Sequence, residues 1–448
     1  MSYQSTSLTA GLVFVVGALC AQPVPFVNTP TIPETVAPGR RGLILTVNGC
    51  GFASNSVVDW NGSPRATTFV SETQLTAKIP PADIATAQTA SITVVTPGRL
   101  KRISSPVLFE VVTSESFPPI QNVATTLAGG RPTVADVNGD GIPDIISIDS
   151  TVLVALGMGG GQYGAQQSYT VADDPQFVAV GDVNGDGKPD LVVAALDGLE
   201  YLLNNGDGTF GSPHVLSDDY FNCIVLGDFN GDGRLDIAAG TPGLTGQVLV
   251  FLHKSGSGFM APVAYDVVQP FAITEGDFNG DNALDLAVLN EDDSISILLG
   301  NGDGTFQPQT IYQTGSQEDG PTAIIAADFN GDGKLDLARA AGDFLAGTGI
   351  LLGNGDGTFQ PVQDNLASSY GLVPGDFNGD GKLDLATGAN GSLAGFFFGN
   401  GNGTFQSFQN VSNPMLLVGF YPAAADFNNN GRLDLVIGTD GNLELLMQ

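Results

Sequence analysis

DFNGDGKLDLA at 328–338, followed at 354–359 by NGDGTF, is the stretch that decides the fold, because the chain keeps returning to it. The phrase Asp-x-Asn-Gly-Asp-Gly-x-x-Asp, or a near copy, begins at Asp136, Asp182, Asp228, Asp277, Asp328, Asp376 and Asp426, at steps of 46 to 51 residues. A period of that size over seven units marks an array of small supersecondary units, each too small to bury its own core. Within the phrase, positions 1, 3 and 5 carry side-chain oxygens and position 9 a further carboxylate. The glycines at 4 and 6 allow a sharp backbone path.

That oxygen set suits a hard cation of flexible coordination, which takes six to eight oxygen ligands. The backbone carbonyl of position 7 and the Asp at 9 close the shell. The candidate ligands are therefore Asp136, Asn138, Asp140, Ile142 and Asp144 in the first loop, and Asp182, Asn184, Asp186, Lys188 and Asp190 in the second. The third and fourth supply Asp228, Asn230, Asp232, Arg234 and Asp236, then Asp277, Asn279, Asp281, Ala283 and Asp285. The fifth and sixth supply Asp328, Asn330, Asp332, Lys334 and Asp336, then Asp376, Asn378, Asp380, Lys382 and Asp384. The seventh has Asp426, Asn428, Asn430, Arg432 and Asp434.

The phrase begins like an EF-hand loop, but its last carboxylate comes at position 9 and opens a strand, not a helix. Calcium is the expected ion, at about seven sites, with magnesium disfavoured by its demand for rigid octahedral geometry. Three Asp against one dication couple metal binding to folding. Asn282 stands for Gly in the fourth loop, and Asn429 and Asn430 stand for Gly and Asp in the seventh, which is expected to bind most weakly. The basic residues at position 7 read as charge balance beside the carboxylates.

Around each loop lie apolar runs separated by turn signals. In the second unit these are FVAVGDVN (177–184), DLVVAAL (190–196), LEYLLNN (199–205) and a short run near 212–216, the pattern of a four-stranded propeller blade. NGDGTF supplies positive φ for a turn and a Phe to pack between blades. The chain reaches Gln448 after a third strand, whereas PIQNVATTLAGG (119–130) matches a fourth-strand segment. Residues 119–127 are thus expected to complete the seventh blade. The unit quoted first resembles the FG-GAP/VCBS repeat of integrin α-subunit propellers and many secreted bacterial proteins. The resemblance implies calcium at the hairpin between the first two strands, on one face of the ring, with ligands tending toward the other.

Residues 27–113 read differently: LILTVNGCGF (43–52), SVVDW (56–60), ATTFVS (66–71), QLTAKIP (74–80), ASITVVTP (90–97) and VLFEVV (107–112) are short strands at sandwich spacing. LTVNGCGF…SVVDWNGSPRATTFVSETQLTAKIP resembles an IPT/TIG domain, an immunoglobulin-like module that usually serves as a spacer or interaction platform. Trp60 is expected in its core. Residues 1–21 read as a signal peptide, with a short apolar stretch LVFVVGALC (12–20) and small residues before Gln22, although no Lys or Arg precedes it. The fold class expected is all-β, a seven-bladed β-propeller over 119–448 preceded by an immunoglobulin-like β-sandwich.

Net charge is -32, and it is uneven: residues 116–448 hold 8 Lys and Arg against 41 Asp and Glu. That excludes nucleic acid as a partner and disfavours anionic membranes. Three cysteines build no disulfide framework. Two histidines, His214 and His253, fall at blade edges, and no Ser-His-Asp set or zinc-type cluster is present. The expected function is a secreted, extracellular or cell-surface (or periplasmic) calcium-binding module that holds a carbohydrate or protein partner, without catalysis or membrane insertion. The rim segments Asp173-Asp174, Asp218 to Phe221, Glu291 to Asp293, Glu318-Asp319 and Asp343-Phe344 are its candidate contacts. The alternatives are a calcium-dependent polysaccharide lyase and a purely structural surface component.

Overall fold

Each acidic loop runs straight into a strand whose first residue is the ninth-position Asp: Asp144–Ile148, Asp190–Ala195, Asp236–Thr241, Asp285–Asn290, Asp336–Ala341, Asp384–Ala389 and Asp434–Gly438. The strand before each loop ends one residue ahead of it: Gly130–Ala135, Pro175–Gly181, Cys223–Gly227, Pro270–Gly276, Pro321–Ala327, Tyr370–Gly375 and Phe420–Ala425. The loop is therefore a hairpin connection, as its turn chemistry requires. The structure, a computed structural model, describes residues 26–27, 35–36 and 42–448, apart from 72–73, 87, 98–101, 105–106, 112–120, 244–245, 255–257, 315–319, 343–346, 365, 368, 390–391, 412–419 and 440. The leader 1–21, residues 114–118 and the rim residues Glu318, Asp319, Asp343 and Phe344 lie outside the described residues.

The fold is all-β, with seven four-stranded antiparallel sheets after the first domain. Six form in simple chain order; in the fourth blade, for example, Pro270–Gly276 is followed by Asp285–Asn290, Ser294–Leu298 and Thr310–Gln313. The seventh is assembled from both ends of the repeat region. Gln121–Ala128 pairs with Asn442–Met447, Gln121 opposite Met447 and Ala124 opposite Glu444, and so becomes its outer strand. Consecutive inner strands touch round the ring, and Phe420–Ala425 returns to Gly130–Ala135. A seven-bladed propeller results.

Inner strands of the second to fifth blades are buried on both faces. All seven residues of Pro270–Gly276 are buried, as are all six of Asp285–Asn290. Each blade is covered on both faces by its neighbours, so both side-chain sets are removed from water, at about 1.5–3 kcal/mol for each large aliphatic or Phe. At the circumference the outer strands meet solvent, and Val263 and Ile311 remain 44% exposed.

The NGDGTF turns clasp one blade to the one before it. Gly304, Gly357 and Gly403 donate their N–H to the carbonyls of Phe229, Phe278 and Phe329, the second residues of the preceding blades' acidic loops. The turn's own Phe packs edge-to-face on that same ring: Phe306 on Phe229 and Phe359 on Phe278 at 5.5 Å, and Phe405 on Phe329 at 5.9 Å. An outer-strand tyrosine closes over it, as Tyr312 does by accepting the N–H of Phe359. The Asp of the turn accepts from its Thr, as Asp303 does from Thr305, so these acids serve the turn itself.

Ahead of the ring, two sheets face each other. One orders Phe26–Val27, Leu43–Cys50, Gln74–Ile79 and Ala66–Ser71; the other runs Thr35–Val36, Val107–Val111, Gln88–Thr96, Val57–Trp60 and Ser63–Pro64. Leu45, Val47 and Leu75 from the first pack with Val58, Ile92 and Phe109 from the second. Trp60 is 2% exposed and stacks obliquely on Phe109 at 5.2 Å. Asn61 and Gly62 (φ 49° and 71°) make the tight turn that follows it.

Candidate metal centre

The seven loops share one wiring. The first-position Asp accepts from the backbone N–H groups of positions 5 and 6, as Asp136 does from Asp140 at 3.1 Å and Gly141 at 2.8 Å. In the first six loops, the Asn at position 3 accepts from the N–H of position 5 and the Asp at position 5 from that of position 7, as Asn138 and Asp140 do. These bonds fold short side chains inward over the loop's own donors. Positive φ is required at positions 4 and 6, and both substituted asparagines adopt it, Asn282 at 69° and Asn429 at 58°.

The ninth-position Asp does a second job. Asp144, Asp190, Asp236, Asp285, Asp336, Asp384 and Asp434 are all 0% exposed. One oxygen of each accepts from the N–H of loop position 2, at 2.9–3.1 Å from Val137 through Phe427. The other accepts from the N–H at the end of the third strand: Gly157, Asn204, His253, Gly300, Gly353, Gly399 and Gln448. Four of these are glycines whose absent side chain would run into the carbonyl of loop position 8. The carboxylate therefore ties loop, second strand and third strand together.

Burial makes this arrangement electrostatically costly. Desolvation pushes the carboxyl of Asp144 and Asp336 up to about 6, Asp190, Asp285 and Asp434 to about 7, and Asp236 and Asp384 to about 8. The accepted N–H bonds oppose the shift, while the first-position Asp, and the fifth where there is one, add to it. A dication beside these groups would reverse that balance. The donor set, oxygen only and mostly anionic, suits a hard cation. Each oxygen accepting one N–H keeps further lone-pair capacity. As the side chains lie, however, no three acidic, His or Cys groups among the described residues gather closely enough to hold an ion.

Position 7 divides the loops. Lys188, Lys334 and Lys382 reach the fifth-position Asp186, Asp332 and Asp380 at 3.3, 3.9 and 3.2 Å. Their side chains also run beside Gly206, Gly355 and Gly401 of the turn in their own blade. Ile142 and Ala283 bring no charge, and there the Asn at position 3 donates to the fifth-position Asp instead, at 3.0 Å. The seventh loop departs from the rest. Asn428 Oδ1 is buried with no hydrogen-bond partner, and Asn430 donates to the Gln448 carbonyl.

The residue at position 2 is functionally central and was not among the expected ligands. Its N–H caps the ninth-position Asp, and in most loops its carbonyl takes the next blade's clasp. The recurring Phe in DFN was the available signal. Of the rim segments, Asp173, Asp174, Asp218 and Asp219 are exposed as expected. Phe221 is a correction, 0% exposed in the core against Phe251, and so is Asp293. It is 0% exposed and forms an ion pair with the equally buried Arg339 at 3.0 Å, because Arg339 comes from the next blade and reaches under the turn. His253 is buried at the end of a third strand, while His214 stacks on Tyr201 in an outer one.

The FG-GAP-like repeat model matches residues 136–193, 182–239, 277–338 and 376–437, and the IPT/TIG domain model matches 29–111. No curated protein matches the chain in sequence. Among solved structures, BBS1N in complex with ARL6DN is 14% identical, with a TM-score of 0.50 over 75% of this chain and 96% of that one. An Agrocybe aegerita lectin that recognises non-reducing terminal N-acetylglucosamine is 18% identical, with a TM-score of 0.46 over 73% and 90%. An auxiliary nutrient binding protein from Bacteroides ovatus is 12% identical, with a TM-score of 0.44 over 95% and 98%. At 14% identity the likeness to BBS1N speaks to the fold alone.

Proposed function

This chain belongs to the FG-GAP-like repeat family, with an IPT/TIG domain ahead of the repeats, and we propose that it is a secreted adhesion or binding module whose propeller is stiffened by calcium. Both domains are of types that serve binding, and the carbohydrate or protein partner is part of the proposal. One observation carries it: all seven ninth-position carboxylates are buried and accept from backbone donors of their own loop and third strand. Groups held that way support a hairpin and are not offered to a substrate. Asp136, Asn138, Asp140 and Asp144, with the equivalent residues of the later loops, would hold the ion, and the ion would offset the excess negative charge these loops carry.

The two histidines do not share a site, which favours binding over acid–base chemistry. No helix among the described residues is long and apolar enough to cross a membrane. Calorimetric titration of chelated protein with calcium, followed by glycan-array and pull-down screening with and without chelator, tests the reading. Calcium uptake with retention of a glycan or surface protein is the expected result. Absence of calcium uptake would remove the metal part, and failure to retain any partner would remove the adhesive part.

A further inference from the structure

The first six acidic loops keep their position-3 side chains to themselves. In each, the Asn at position 3 accepts from the N–H of position 5, and in the first and fourth it also donates to the fifth-position Asp. The seventh loop turns outward. Asn428 donates to Met447 Sδ at 3.8 Å, which leaves its own Oδ1 buried with no hydrogen-bond partner. Asn430 donates to the Gln448 carbonyl at 2.7 Å. Both amides thus reach the end of the third strand of their own blade.

The sulfur acceptor is peculiar to this blade. In the register of Met447, one residue before the N–H that caps the ninth-position Asp, the other blades have Leu156, Leu203, Leu252, Leu299, Leu352 and Phe398. None of those side chains can accept from an amide. Met447 also stands where the ring is joined. Its backbone pairs with Gln121, the first residue of the strand supplied from the other end of the repeat region. Its Cε fills the place that a side chain at Gly161 of the first blade would need, and Gly161 donates to the Phe427 carbonyl of the seventh loop at 2.7 Å.

Charge points the same way. Loops one and four carry three Asp and no base, and the second, third, fifth and sixth carry three Asp and one Lys or Arg. The seventh has two Asp and Arg432. Affinity for a hard dication follows the number of charged ligands, so this loop has the least to gain from one. Its backbone wiring is nevertheless complete, with Asp426 accepting from Asn430 and Gly431, and Asp434 from Phe427 and Gln448.

We propose that the seventh loop is a latch that works without metal, fastened by its amides instead of by an ion. Asn428 and Asn430 tie the loop to the third strand at the point where the ring is joined, so the closing blade stays paired when calcium is withdrawn. The inference rests on the reading of the first six loops as calcium sites.

Calcium content and hydrogen exchange, followed by mass spectrometry, test it on the full chain and on two variants, Asn430→Ala and Met447→Leu. One ion for each of the first six loops is expected at saturation. Chelation should speed exchange about tenfold or more in the strands flanking those loops, and less than about twofold in 121–128 and 434–447. Each variant should lose protection of 121–128 by about twofold or more, equally in calcium and in EDTA, with six ions still bound. A seventh ion held as tightly as the rest, or exchange in 121–128 that follows calcium as the other blades do, would overturn the latch and leave the calcium reading standing. Variants that lose protection only in calcium would overturn it too, since the ion would then be acting through these amides. Variants indistinguishable from the unaltered chain would assign closure to backbone pairing alone and remove the two amides from it. Absence of bound calcium would bring down the calcium reading and this inference together.

Discussion

The two ends of the ring follow opposite rules. At the acidic end, the first- and ninth-position hydrogen bonds recur in all seven loops, and substitutions such as Asn282 preserve the geometry they interrupt. At the other end the side-chain contacts vary more: one seam is held by Arg131 and the rings of Phe177 and Tyr421 and another by the buried pair of Asp293 and Arg339, while Asn222 and Thr322, in the same register of their blades, donate to the carbonyls of Pro270 and Ser369. Identical chemistry in every blade can only serve what every blade needs, which is to be a blade. Chemistry that occurs once is free to serve a particular partner.

That contrast can be broken experimentally. Removing residues 121–128 takes away the outer strand of the seventh blade, and a fall of at least about 10 °C in the propeller's melting temperature is expected by calorimetry. Unchanged melting would show that the ring does not need this closure. Chelation should come next. Each calcium site held at one hundred times its dissociation constant adds about 2.7 kcal/mol, so EDTA should lower the propeller transition and leave that of the sandwich where it was. A transition indifferent to EDTA would mean that the loops stand without metal.

Single substitutions of buried charges sharpen the comparison further. Arg339→Met leaves Asp293 buried without its cation and should cost about 3–5 kcal/mol in urea unfolding, with a loss below about 1 kcal/mol speaking against a tightly held pair. Glu275 buries both carboxylate oxygens with no hydrogen-bond partner, at a register where the other inner strands carry Val134, Val180, Leu226, Ala326, Pro374 and Ala424. Glu275→Leu should therefore stabilise, by about 1–3 kcal/mol, and destabilisation would assign that carboxyl a role. The smallest effect belongs to the acidic end. Asn430→Asp restores the full triplet in the seventh loop, and calcium titration should show its weakest site gaining affinity with the other six unmoved.

The sequence made the repeating end legible because its determinants are local. Asp, Asn and Gly at fixed offsets specify a turn within nine residues, and the period of the turns counts the blades. Closure was legible for a related reason, since 119–127 had no other strand to join. The irregular end was hidden because its contacts are remote in sequence. Arg131 and Tyr421 meet only once the ring has closed, and neither Arg nor Tyr announces a left-handed backbone. EDDS at 291–294 reads as a solvated turn, and only Arg339, from the following blade, draws Asp293 inside. The dual role of loop position 2 was hidden too, because it is carried by backbone atoms that any residue possesses.

The pairing of Gln121–Ala128 with Asn442–Met447 has a consequence for how the protein is made. The strand that completes the seventh blade is synthesised before any other part of the propeller, and its partner comes last. Throughout translation of the intervening repeats it presents an unsatisfied edge, and six finished blades stand as an open arc. A chain stalled or cut before residue 442 would thus leave two exposed edges able to recruit each other between molecules, and accurate assembly of this ring depends on keeping its first strand unmated until the last arrives.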